Sequence, residues 1–86
     1  MSYNWRRIKS AFDNELSDYP HTVKYTHWSD EHPVFYVTMY GMSDYDEDDS
    51  ECIYDAFDRI ENRFDIVRDE SDGFDDITFS FIDFNN

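Results

Sequence analysis

The stretch SECIYDAFDRIENRF, Ser50 to Phe64, decides the fold. Its apolar residues Ile53, Ala56, Phe57, Ile60 and Phe64 recur at three- and four-residue steps. They fall within roughly one 100° sector when each residue turns about 100°, the mark of an amphipathic helix with one face on a core. The same pattern opens the chain, where Trp5, Ile8, Ala11, Phe12 and Leu16 keep helical spacing from Ser2 onward. Ser2 or Asn4 is suited to cap that first helix, and Pro20 lies just beyond its end. The two helices also share a phrase: IKSAFD, Ile8 to Asp13, matches IYDAFD, Ile53 to Asp58, at four of six positions.

Each helix is followed by two strand-like segments. Thr22 to Trp28 and Val34 to Tyr40 flank an SDEHP turn and read as a hairpin, with Phe35, Val37 and Met39 on one face. Segments near 65–68 and 76–84 follow the second helix, joined across a loop containing Asp72 and Gly73. In the last of them Ile77, Phe79 and Phe81 alternate with Thr78 and Ser80, which predicts one buried face. The expected fold is a single α+β domain over residues 1–86, a two-layer αββαββ arrangement with two helices packed on a mainly antiparallel four-stranded sheet. That order is what a duplicated αββ unit gives, with units at 2–42 and 50–84 and an acidic connector at 43–49. It is also a circular permutation of the ferredoxin-like βαββαβ order.

Composition narrows the function. The chain has 86 residues, 21 acidic against 7 basic, for a formal charge of −14, yet 20% of its residues are aromatic. That aromatic content is far above what a disordered acidic tail carries, so the chain is expected to fold. The charge is uneven. Residues 1–28 sum to +1 and residues 29–86 to −15. Such a chain repels nucleic acid and anionic membranes and attracts basic partners. Cys52 is the only cysteine, so no intrachain disulfide forms, and no apolar run is long enough for a signal peptide or a membrane span. A cytoplasmic protein, monomer or homodimer, is the expectation.

The densest charge lies in SDYDEDDSECIYD, Ser43 to Asp55, with seven carboxylates in thirteen residues. Charge continues along the outer face of the second helix: with Ile53 as the centre of the buried stripe, Glu61 lies at about 80°, Asp58 at about 140°, Glu51 at about 160° and Asp55 at about 200°. Acids three or four residues apart on one face repel, and Asp58 and Glu61 are too far along to gain from the helix dipole. A solvated acidic loop explains the run but not this face. Calcium is a second reading: Asp44, Asp46 and Asp48 resemble the opening of an EF-hand loop and Asp55 occupies its twelfth position, although Asp49 stands where the turn needs Gly and Glu51 where an aliphatic is usual. Salt adaptation is a third, suggested by fifteen Asp against two Lys. Phosphate mimicry is the fourth and preferred reading. Phosphates along one strand are separated by roughly 6–7 Å, and i,i+4 carboxylates on a helix by about 6 Å along the axis.

In size, acidity, aromatic richness and lack of a catalytic motif, the chain resembles the small acidic DNA-mimic inhibitors encoded by phages and mobile elements. These include anti-CRISPR proteins, anti-restriction proteins and inhibitors of a DNA glycosylase. The resemblance is compositional and implies a stoichiometric inhibitor whose partner is a basic nucleic-acid-binding protein or complex, with no direct nucleic-acid or membrane binding. Small acidic immunity proteins and antitoxins for nuclease toxins share the same electrostatics and are the alternative, with a calcium-binding module behind them. The expected partner-binding residues are Asp44, Tyr45, Asp46, Glu47, Asp48, Asp49, Glu51, Tyr54, Asp55 and Asp58, the two tyrosines as aromatic anchors.

No catalytic constellation is expected. His27 and His32 flank a turn without a convincing ligand set, and no cofactor or metal is called for. Cys52 belongs at the edge of the second helix's buried stripe, in acidic surroundings. No phosphate loop or nucleophile elbow is present, so the chain reads as a non-enzyme. Arg6, Arg7 and Lys9 on the first helix are expected to pair with acids of the second unit, or to touch an acidic or nucleic-acid surface of a partner.

Overall fold

The computed structural model describes residues 4–85. Its elements run α1 (Trp5–Glu15), β1 (His21–Thr26), β2 (Val34–Met39), a 3₁₀ turn (Met42–Asp44), α2 (Glu47–Phe64), β3 (Val67–Asp72) and β4 (Ile77–Ile82). The αββαββ order and the α+β class are therefore as the periodicities indicate. All strand pairs are antiparallel, in the order β1-β2-β4-β3. β2 and β3, connected through α2, run parallel to each other with β4 between them, the split βαβ arrangement.

Both helices share one core with one face of the sheet. Ile8, Phe12 and Leu16 meet Phe35, Val37 and Met39 of β2, Phe79 and Phe81 of β4, and Ile53, Phe57, Ile60 and Phe64 of α2 in a single buried cluster. Phe57 lies 4.8 Å from Phe79 and 5.1 Å from Phe81 between ring centroids, and Phe12 lies 4.9 Å from Phe81. Trp5 stacks on Tyr25 at 4.8 Å, tying the start of α1 to β1. Each aromatic side chain removes a large apolar area from water, which a domain this small needs.

Several boundaries differ from expectation. Asn4 caps α1, its side-chain oxygen accepting from the Arg6 N–H at 2.8 Å, while Ser2 lies outside the described residues. α2 begins at Glu47 rather than Ser50. Asp46 accepts from the Asp49 N–H at 2.9 Å, and Glu47, Asp48 and Asp49 fill the first turn, where the helix dipole favours negative charge. The acidic connector at 43–49 is thus no separate linker but a 3₁₀ turn, a cap and the opening of α2. Asp65 ends α2 with φ 55, and the Asn85 side-chain amide donates to the Asp65 carbonyl at 2.9 Å.

β1 stops at Thr26, leaving Trp28 70% exposed. β3 runs Val67–Asp72, well past the expected 65–68, with a register shift between Arg68 and Ser71. As a bulged edge strand with exposed polar residues on both faces, it carries no apolar alternation to read. Cys52 is exposed, outside the buried stripe of α2. Lys9 does not reach the second unit: it pairs with Asp13 of its own helix at 3.0 Å, and His21 Nε2 meets the same carboxylate at 2.9 Å. The cross-helix pair runs the other way, from Arg59 of α2 to Glu15 of α1 at 2.7 Å.

Because Phe12 contacts both central strands and α2, Phe12→Ala is expected to cost about 3–5 kcal/mol of unfolding free energy. Urea denaturation followed by circular dichroism measures it. A loss below about 1 kcal/mol, the level of an exposed site, would show that the core does not depend on this ring.

Candidate functional site: the acidic face of α2

The apolar stripe of α2 is fixed on the sheet, so the rotation of its opposite face is fixed as well. Glu47, Asp48, Glu51, Asp55 and Asp58 are all exposed there. On helix geometry they occupy about a 100° sector and span about 16 Å along the axis. Glu47, Asp48, Glu51 and Asp55 make no ion pair among the described residues. The flanking Arg59 makes its ion pair across to Glu15, whose carboxylate, with a lesser contribution from the charge of Asp55, holds the Arg59 pKa above its ordinary value.

Asp58 stands apart from this group. Arg68 of β3 pairs with Asp58 at 2.9 Å and with Glu61 at 2.8 Å, its guanidinium over the rings of Tyr54 and Phe57 at 5.8 and 5.5 Å. The sequence shows two acids on the outer face of a helix with nothing to offset them. The tertiary structure supplies the cation from the sheet.

Asp49 also leaves the outward set. It is half-buried, and the Tyr19 hydroxyl donates to its Oδ1 at 3.2 Å. Partial burial, then the Asp49 carboxylate, push the Tyr19 pKa up to about 12. Tyr45 packs edge-on against Tyr19, with ring centroids 5.3 Å apart, and its pKa is raised by burial and then by Asp49 and Asp44. Tyr45 is therefore part of the core margin rather than an outward anchor. Tyr54 is 40% exposed, its ring edge-on to Phe57 and Phe79 at 6.2 and 6.0 Å. Asp44 and Asp46 are exposed at the entry to α2.

The EF-hand reading fails on backbone geometry. Asp48 and Asp55 lie in one continuous helix, which cannot wrap an ion as a twelve-residue loop does. Among the described residues no group of three or more His, Cys, Asp or Glu is placed to hold a metal ion. His27 packs against Tyr25 and His32 against Phe84, with ring centroids 6.4 and 5.0 Å apart.

The structure adds a neighbour that the sequence reading passed over as a loop. Phe74, 84% exposed, stands on the β3–β4 connection beside Asp72, Asp75 and Asp76. The connection is clamped to the turn before α2. The Met42 N–H donates to the Asp75 carbonyl at 2.7 Å, the Gly41 N–H to the Asp76 carboxylate at 3.1 Å, and the Ser43 hydroxyl to the Asp75 carboxylate at 2.5 Å. Gly73 has φ 112, and a Cβ there would sit 2.1 Å from the Asp76 carbonyl oxygen, so only glycine fits. A large aromatic between Gly73 and Asp75 was the available signal. The clamp that gives it a fixed place is long-range.

No protein-family model, no curated protein and no solved structure matches this chain. No helix among the described residues is long and apolar enough to cross a membrane.

The inward role of Asp49 is open to titration. A folded-state pKa above the ordinary tyrosine value means that the fold favours the neutral phenol. That contribution is present below the unfolded pKa of about 10 and is lost as pH rises through the folded value. Spectrophotometric titration should show one phenol ionising near pH 12, absent in Tyr19→Phe and shifted downward in Asp49→Asn. An unchanged titration in Asp49→Asn would return Asp49 to the outward-facing set.

Proposed function

We propose that the protein is an acidic phosphate mimic that inhibits a nucleic-acid-binding protein by occupying its basic groove. Targets of the right chemistry are a CRISPR effector, a restriction enzyme or a DNA repair enzyme. The observation that carries this reading is the exposed stripe of Glu47, Asp48, Glu51 and Asp55, none of them ion-paired among the described residues, on a helix anchored along its opposite face. Carboxylates four residues apart on the helix are about 6 Å apart along its axis, close to the direct separation of roughly 6–7 Å between successive phosphates on one strand, whose rise along the duplex axis is about 3.4 Å. A groove lined by Lys and Arg releases its bound anions on meeting such a face. The inhibitor then needs a rigid display and no catalytic group. Rigidity comes from the core, and the field comes from a net charge of −14.

One observation favours a second reading, an immunity protein or antitoxin for a basic nuclease. Phe74 is 84% exposed on a clamped loop framed by acids, as an aromatic anchor of a tight protein interface would be.

The test is affinity capture from nuclease-treated bacterial lysate, comparing the wild type with Glu47→Lys/Glu51→Lys/Asp55→Lys. Reversal at Glu47 forfeits about 0.3–1 kcal/mol of helix-dipole stabilisation, and circular dichroism checks that the fold survives. The expected result is one basic nucleic-acid-binding protein, retained stoichiometrically by the wild type, released steeply by salt and lost in the triple variant. Retention by the triple variant would remove the acidic face from the account. With the target in hand, Phe74→Ala separates the two readings. Unchanged affinity fits a phosphate mimic, whereas a loss of about tenfold or more fits an aromatic-anchored immunity protein.

A further inference from the structure

A groove of about 260 Å³ runs between α1 and α2, lined by Arg6, Arg7, Ser10, Ala11, Asn14 and Arg63. Among the described residues no carboxylate lines it, in a chain with 21 acidic residues and 7 basic ones. Lys9, Arg59 and Arg68 each have a carboxylate partner. Arg6 and Arg63 make no ion pair among the described residues. The Arg6 guanidinium lies over the Trp5 ring at 4.7 Å, and that of Arg63 over the Phe64 ring at 4.9 Å. A guanidinium stacked on an aromatic ring uses its face and keeps its N–H edge for an acceptor.

Helix stability does not account for the arrangement. Arg6 and Arg7 sit in the first turn of α1, which holds no acidic residue, and there the dipole disfavours a cation. Arg63 is different, since the last turn of α2 is where a dipole favours positive charge. The positive end of α1, its two arginines and Arg63 add their fields along the same groove, and Ser10 and Asn14 offer neutral side-chain donors beside them.

We propose that this groove binds a single phosphate group, carried by inorganic phosphate or a phosphomonoester. Guanidinium forks match the oxygen spacing of phosphate and donate charge-assisted hydrogen bonds to it. The volume of about 260 Å³ suits a phosphate with a small substituent. A nucleic-acid backbone would bring many negative charges against a net −14, so a compact anion is the occupant. This site lies apart from the acidic stripe and does not depend on the mimic reading.

The experiment is an amide-resolved NMR titration with sodium phosphate, the ionic strength held constant with sodium chloride, and a parallel arm with glycerol phosphate. Saturable shifts at Ser10, Ala11, Asn14 and Arg63 are expected in both arms. Arg6→Gln/Arg63→Gln replaces two exposed side chains and should leave the rest of the spectrum in place while weakening binding by about tenfold or more. Shifts that grow without saturating, or that persist unchanged in the double variant, would mean an adventitious ion only and overturn the proposal. Tighter binding of an oligothymidylate than of phosphate would also overturn it, in favour of a phosphodiester backbone.

Discussion

The ring of Phe12 is where the two halves of the protein meet. Its centroid lies 4.9 Å from Phe81, 6.2 Å from Phe35 and 6.4 Å from Phe57, so one side chain of α1 touches both central strands and α2. Phe57 occupies the matching place in the echoed phrase on α2 and packs on Phe79 and Phe81 in turn. This aromatic junction has to outweigh the self-repulsion of a chain at −14, which favours any expanded state over the compact one. Large rings suit that task in a short chain, because each removes a great deal of apolar area from water per residue ordered.

The junction also decides where the charge goes. Once Ile53, Phe57, Ile60 and Phe64 are seated on the sheet, the rotation of α2 is set, and Glu47, Asp48, Glu51, Asp55 and Asp58 must face water. The cap at Asp46 and the acidic first turn then lower the cost of gathering so many carboxylates in one place, since the helix dipole favours them there. Farther along, Arg68 offsets Asp58 and Glu61 from the side of the sheet. Between those two supports, Glu51 has neither the dipole nor an ion pair, and Asp55 feels only the charge of Arg59, whose ion pair goes to Glu15. Stability alone gives little reason for Glu51.

Positive charge is segregated just as firmly. Of the seven bases, three line the groove between the helices, with no acid among the described residues of its walls. A molecule with an acidic outer face and a small basic groove along the same helix pair has two chemically opposite surfaces. They are kept apart by the thickness of α2 and by the ion pair from Arg59 to Glu15.

The sequence by itself determined both helices, their buried faces and the inward rows of β2 and β4, because periods of 3.6 and 2 leave clear apolar traces. It placed a strand near 65–68 but not the extent of β3, Val67–Asp72, an edge strand wet on both sides with no apolar alternation to bound it. Nor did hydrophobic spacing show where α2 starts, since a cap and a dipole set that point rather than burial. The ten expected site residues were legible as an acidic run, but their directions were not. Tertiary contacts alone turned Asp49 toward Tyr19, packed Tyr45 on the core margin, gave Asp58 a cation from β3 and clamped the Phe74 loop against the turn before α2. Each of these joins residues far apart in the chain, and local periodicity carries no information about partners at that distance.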